Sequence, residues 1–279
     1  MAASRTTHRA EHYVLDGSDD DLQRLLSIAN VTAELSRSGL QRTDIQAGWR
    51  ALDCGCGPIG ALPVLADLVG VNGRVIGADV NAATIERART TVDLLHLEQV
   101  QLVAADVHDL DTNVLGGPVD LIYTRCFLMH QPHPTATLRT MFGLLRPGGW
   151  LVVHEPLADP PPTSHPSNPA LSAGWQLLHE IIRTAGVREN AVAELPCTAR
   201  AVGFEVEYTA ATSVLMPPSL GFDLHASTLD AARARAAQLG ADREARIDNL
   251  SSQLRAARDA DYQWVSTPMY LDLTLTRPL

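Results

Sequence analysis

Residues 50–60 read Arg-Ala-Leu-Asp-Cys-Gly-Cys-Gly-Pro-Ile-Gly and lead into the apolar run 61–69. Ala51 and Leu52 make a short buried strand, Asp53 stands at its end, and Gly55, Gly57 and Gly60 form a turn ahead of a helix. Such a turn lets a ligand approach the main chain, and the free amides at the helix start favour a carboxylate or phosphate. Two more strands end in an acid, 74–79 at Asp79 and 100–106 at Asp106. Asp79 falls where a carboxylate accepts the hydroxyls of a cofactor ribose, while Asn81 suits better as the cap of a helix over 82–97. Together these residues describe a site for a nucleoside-bearing cofactor. His130 follows a fourth strand, 119–124, and is the best-placed candidate general base, with His133, His154, Glu155 and Tyr13 in reserve.

The elements that must position these groups alternate strand and helix as far as residue 155. That pattern implies a parallel sheet with right-handed crossovers, its acids lined along the carboxyl edge. A proline-rich connection follows at 156–169, with six of the chain's 17 prolines. Helices are expected at 170–185 and 194–202 and a sixth strand at 203–208. An insertion at about 221–265 carries an amphipathic helix marked by Ile247, Leu250, Leu254 and Ala257. The last strand spans 269–276. Residues 1–47 read as helical in part, either a lid over the cofactor or a helix on the flank of the sheet. The insertion reads either as a cap over the pocket or as a dimer contact.

Composition removes whole classes. All 22 basic residues are arginine, which excludes lysine Schiff bases, the Walker A lysine and the kinase strand lysine. The formal net charge is −10 and no arginine stripe forms, so no nucleic-acid partner is expected. No apolar run reaches membrane-spanning length, and the first residues lack the apolar core of a signal peptide. A cytoplasmic protein with no membrane partner is therefore expected. Four cysteines include one C-x-C pair, Cys54 and Cys56, but no metal-ligand spacing. Cys54 and Cys56 are read as small side chains for packing or close cofactor contact, and no metal site is expected.

The letters of the turn leave two cofactor families open. Gly55-x-Gly57-x-x-Gly60 spells the dinucleotide fingerprint, and D-x-G-x-G-P also resembles motif I of the class I S-adenosylmethionine (SAM) dependent methyltransferases. Downstream, FLMHQPHP and LLRPGGWLVVHEP resemble that family's segment after strand four and its turn into strand five. One departure stands out: the family's third glycine is Ile59 here, with glycine displaced to position 60.

The resemblance implies an α/β, Rossmann-like, seven-stranded, mostly parallel sheet with an antiparallel last strand, helices on both faces and helical cap insertions at about 157–200 and 221–265. In this reading residues 48–279 form the SAM-binding domain and 1–47 a helical lid. It implies SAM as cofactor, held by Asp53, Gly55, Cys56, Gly57, Asp79, Val80, Asp106 and Val107, with the Asp106 carboxylate and the Val107 amide meeting the adenine. Arg125 is counted with these cofactor-binding residues, where it would neutralise a carboxylate or support the loop. His130, Tyr13 and His133 are the catalytic candidates. Methyl transfer to an O, N or C nucleophile of a small organic molecule, a specialised metabolite by analogy, is the expected reaction, and a homodimer is one option. The alternatives are an NAD(P)-binding oxidoreductase and a SAM-binding cyclase or module that transfers no methyl.

Overall fold

The computed structural model describes residues 19–184, 186, 188 and 191–279. Helices α1 (Asp19–Val31) and α2 (Ala33–Gln41) precede a repeating strand–helix core. The core runs through β1 (Arg50–Cys54), α3 (Leu62–Val69), β2 (Arg74–Asp79), α4 (Ala82–Leu94), β3 (Val100–Ala104), α5 (Thr112–Leu115), β4 (Val119–Arg125), α6 (Pro134–Leu144) and β5 (Leu145–Pro156). The second half brings β6 (Ser164–His165), α7 (Pro169–Thr184), α8 (Leu195–Val202), β7 (Glu205–Thr212), β8 (Leu215–Met216), α9 (Pro218–Ala231), α10 (Arg233–Leu239), α11 (Ala241–Ala257), β9 (Trp264–Ser266) and β10 (Tyr270–Thr276).

Seven strands form one sheet in the order β3-β2-β1-β4-β5-β10-β7. β10 runs antiparallel to both β5 and β7, and the other pairs are parallel. An all-parallel dinucleotide sheet ordered 3-2-1-4-5-6 has no such inserted strand. The topology therefore decides between the two families that the glycine turn left open.

Both faces of the central strands are covered, which is why these strands read as continuous apolar runs. Leu52, Ile76, Ile122 and Leu151 pack on one side with Leu138 and Met141 of α6 and Leu195 and Ala199 of α8. Their neighbours Ala51, Val75, Leu121 and Val152 pack on the other with Leu62 and Leu65 of α3 and Ile85 of α4. A third cluster, built from α7, α9, α10 and α11, lies outside the sheet. Ile247, Leu254 and Ala257 of α11 are buried in it, as their spacing predicts.

Two features differ from the sequence reading. β5 begins at Leu145, with the Pro-Gly-Gly turn taken up as an irregularity between the pairs Val119–Leu145 and Leu121–Trp150. A small second sheet, β6-β9-β8, joins the proline-rich connection to the insertion. Strands of two or three residues carry no periodicity to read.

Candidate functional site

Asp53 is buried at the end of β1, and its Oδ2 accepts the Ala61 amide at 2.6 Å, folding the turn back over the strand. Burial pushes its carboxyl up to about 6, against the opposing pull of the Ala61 amide and Arg125. The turn glycines do different work. A Cβ on Gly55 would meet the Phe127 ring at 2.3 Å, so this glycine admits a side chain of the protein. Gly57, at φ 57°, lines the cavity, and a Cβ there would meet nothing within 4 Å. Its open side is where a ligand can approach the backbone. Gly60, at φ 49°, would place a Cβ 2.3 Å from Asp53 Oδ2. That contact explains the displaced glycine: Gly60 sits where Asp53 closes the turn, and Ile59 does not.

Asp79 ends β2 with Oδ2 accepting the Gly57 amide at 3.0 Å and Oδ1 accepting the Asn81 amide at 2.9 Å. Asn81 caps α4 through the Ala83 and Thr84 amides, as expected of it. Asp106, after β3, accepts the His108 amide at 2.8 Å. Val80 and Val107 flank these acids, and all of them line a single cavity of about 550 Å³ with Asp53, Gly55, Cys56 and Gly57. The residues predicted to hold the cofactor are thus brought together along the carboxyl edge of the sheet. Within that group, the Cys56 side chain faces inward. It is buried, and its thiol, like that of Cys54, is pushed well above the ordinary cysteine range by burial, so both are packing residues.

Arg125 supports the loop. It donates to Thr32 Oγ1 at 2.7 Å, Ser36 Oγ at 3.2 Å and the Gly60 carbonyl at 3.3 Å, tying α1 and α2 to the glycine turn. Leu22, Leu25 and Ile28 of α1 line the cavity, whereas α2 packs on the sheet with Gly39 against His154 and Ser36 bonded to Tyr123. Within the described part of the N-terminal segment, α1 lines the cavity and α2 packs on the flank of the sheet.

His130 and His133 both line the cavity. Burial and the nearby Arg24 push the His130 imidazole down to about 4, so it is neutral at pH 7. The sign for stability follows from linkage: a depressed folded value means the stabilising contribution is complete above pH 6.5 and is lost as pH falls through 4. Against a His130→Asn variant, the native protein should lose relative stability between these limits, by on the order of 1–3 kcal/mol. Urea melts of both proteins at stepped pH values check this, and parallel curves would reject it.

The two reserves within β5, His154 and Glu155, are not among the residues that line the cavity. His154 is fully buried between Tyr123 Oη at 3.0 Å and Asp272 Oδ1 at 3.0 Å. Glu155 accepts the amides of Phe127, Leu128 and Met129 at 2.9, 2.8 and 3.2 Å and so shapes the segment that carries His130. Both are structural for a reason a local reading misses: their partners come from distant strands and loops. Tyr13 lies outside the described residues.

The cavity also contains residues that the sequence did not announce. Asp21 and Arg24 form a buried pair on α1. Trp175, Leu178 and Ile182 of α7, and Leu224, His225 and Thr228 of α9, roof the end beyond the glycine turn, and Tyr270 opens β10 beneath them. The two insertions at about 157–200 and 221–265 read as caps, and α7 and α9 fall within them, but nothing local marks His225 or Tyr270. Among the described residues no group of three or more His, Cys, Asp or Glu is placed to hold a metal ion. No described helix is long and apolar enough to cross a membrane.

The geometry suits a nucleoside sulfonium carrying an amino-acid tail. Gly57 leaves its open side to the cavity, where such a tail could approach the backbone, and acids at the ends of β2 and β3 offer acceptors that a ribose and an adenine would need. Comparison with known proteins agrees. Over 139 residues the chain is 36% identical to an uncharacterized 37.1 kDa protein in transposon TN4556 of Streptomyces fradiae, covering 49% of this chain and 39% of that protein. It is 30% identical over 179 residues to a trans-aconitate 2-methyltransferase of Azoarcus sp., covering 64% of each. The chain thus spans less than two thirds of the length of these relatives. The solved [4+2]-cyclase SpnF superposes with a TM-score of 0.57 at 22% identity, over 88% of this chain and 81% of that one, a likeness of fold alone. A methyltransferase-domain family model matches residues 45–190, more than half of the 279, and the chain belongs to that family, the class I SAM-dependent methyltransferases.

Proposed function

We propose that this protein transfers a methyl group from SAM to a nucleophile of a small organic molecule, by analogy a specialised metabolite. The observation that carries the reading is a single cavity with two unlike ends. One end is the acid-and-glycine rim just described, and the other is a chamber under α7 and α9 walled by Trp175, Leu178 and Leu224. A bound SAM supplies a methyl group already activated by its sulfonium. The protein's share is to place the acceptor in line and exclude water, which in favourable cases contributes roughly 7–11 kcal/mol. Asp53 and Asp79 hold the turn in shape, Arg125 joins that turn to the lid, and α1 with α9 closes the chamber. The trans-aconitate enzyme supports a small acceptor in this family.

Binding is the direct test. Purified protein should take up S-adenosylhomocysteine (SAH) in a calorimeter and ignore NAD(H). Uptake of NAD(H) instead would sink the assignment. Incubation of SAM-loaded protein with candidate acceptors should yield a product heavier by one CH₂. Conversion of an acceptor without that gain, in SAM-bound protein, would favour a cyclase.

A further inference from the structure

The chamber beyond the glycine turn describes the acceptor, granted the methyl-transfer reading. His225 on α9 lines it while being only 9% exposed. Its Nε2 lies 2.8 Å from the Ser266 carbonyl oxygen. A carbonyl only accepts, so Nε2 carries the hydrogen, and burial holds the ring below the usual histidine range and therefore neutral. Nδ1 then bears the lone pair, and it is the ring's one polar atom not spent on the described protein.

The segment that anchors His225 lines the cavity through Thr267, Pro268 and Tyr270, the last of them 4% exposed. Tyr270 Oη receives the Cys126 thiol at 3.9 Å, which leaves its own O–H to donate. Burial keeps this phenol protonated. Leu178, Ile182 and Leu224 make much of the remaining wall apolar, with the hydroxyls of Thr228 and Thr267 also on it, and the Trp175 indole N–H is already given to the Ala158 carbonyl at 2.7 Å. Two cationic side chains of the lining are already in use: Arg24 pairs with Asp21, and Arg125 donates to the neutral oxygens of Thr32, Ser36 and the Gly60 carbonyl. A carboxylate acceptor would have to break these bonds to reach either guanidinium.

We propose that the acceptor is a neutral, apolar-bodied hydroxyl compound whose O–H is received by Nδ1 of His225, with the Tyr270 hydroxyl as a second anchor. In the transfer, a lone pair on the hydroxyl oxygen forms the new C–O bond. The methyl–sulfur bond breaks with its pair left on sulfur, and the hydroxyl proton passes to Nδ1. The positive charge of the sulfonium thereby ends on the imidazolium.

The test uses SAH-loaded full-length protein and three probes of one shape: 1-naphthol, 1-methoxynaphthalene and 1-naphthoate. Calorimetry should show 1-naphthol binding about tenfold or more tighter than the methyl ether, the worth of one well-made hydrogen bond, and 1-naphthoate binding most weakly. His225→Gln keeps an amide donor near the Nε2 position for Ser266 but removes the Nδ1 acceptor, whereas His225→Asn does the reverse. The hydroxyl preference should vanish in His225→Gln, with SAH binding retained, and survive in part in His225→Asn. The reversed pattern would mark His225 as a mere anchor for α9 and overturn the proposal. So would equal affinity for naphthol and its ether in the native protein, tighter binding of naphthoate, or binding of none of the three. Failure of the native protein to bind SAH at all would be a different result, sinking the methyl-transfer reading and the acceptor with it.

Discussion

Gly60→Ala should unfold well before the native protein, by about 2–5 kcal/mol, and should lose SAH binding in the same step. Two costs add. The residue sits at φ 49°, where an L side chain is strained by roughly 1–2 kcal/mol. The new Cβ would also lie 2.3 Å from Asp53 Oδ2 and 2.6 Å from the Cys56 carbonyl oxygen, an overpacking worth about 1–3 kcal/mol. Neither neighbour can yield easily, since Asp53 Oδ2 already holds the Ala61 amide and the Cys56 oxygen is backbone. Gly57→Ala is the control. It shares the positive φ but meets no protein atom within 4 Å, so its stability cost should stay near the strain alone while SAH affinity falls. Thermal and urea melts with calorimetry on both variants decide the matter. Equal destabilisation by the two would show that the Asp53 contact is unimportant.

Asp79→Ala should weaken SAH binding by roughly 10 to 100 fold, the loss of a charged acceptor worth about 1.5–3 kcal/mol. Its carboxylate meets the Gly57 and Asn81 amides from opposite oxygens, so truncation also loosens the turn that faces the ligand. Asp79→Asn separates the two roles. It keeps one acceptor oxygen without the charge, and its affinity should fall between native and alanine. Burial raises the Asp79 carboxyl above the usual aspartate range, so affinity should also decline as pH falls through that raised value, because protonation removes the charge. Calorimetry across pH with unchanged SAH affinity in Asp79→Ala would reject Asp79 as a ligand.

Much of the cofactor half was readable in advance because its parts are local. A strand, an acid, a glycine turn and a helix are neighbours in the chain, and parallel β–α repetition carries successive strand ends to one edge. Asp53, Asp79 and Asp106 could therefore be placed on one rim without coordinates. Residues whose roles depend on partners far along the chain could not be sorted this way. Glu155 looks like a free acid beside a histidine, yet its oxygens are taken by the amides of 127–129. His154 looks like a candidate base, yet it bridges Tyr123 and Asp272, one from β4 and one from β10.

By itself, then, the chain's order determined the α/β core, the cofactor rim and the classes that an absence of lysine excludes, since each rests on residue type and short-range spacing. The resemblance already implies an antiparallel last strand, which lies between β5 and β7; tertiary structure alone decided that Gly60 answers to Asp53 and that His225 and Tyr270 meet the same chamber. The physical reason is that an acceptor site is assembled from side chains on separate elements, α1, α7, α9 and β10, whose packing buries shared surface. No periodicity within any one of them encodes the meeting.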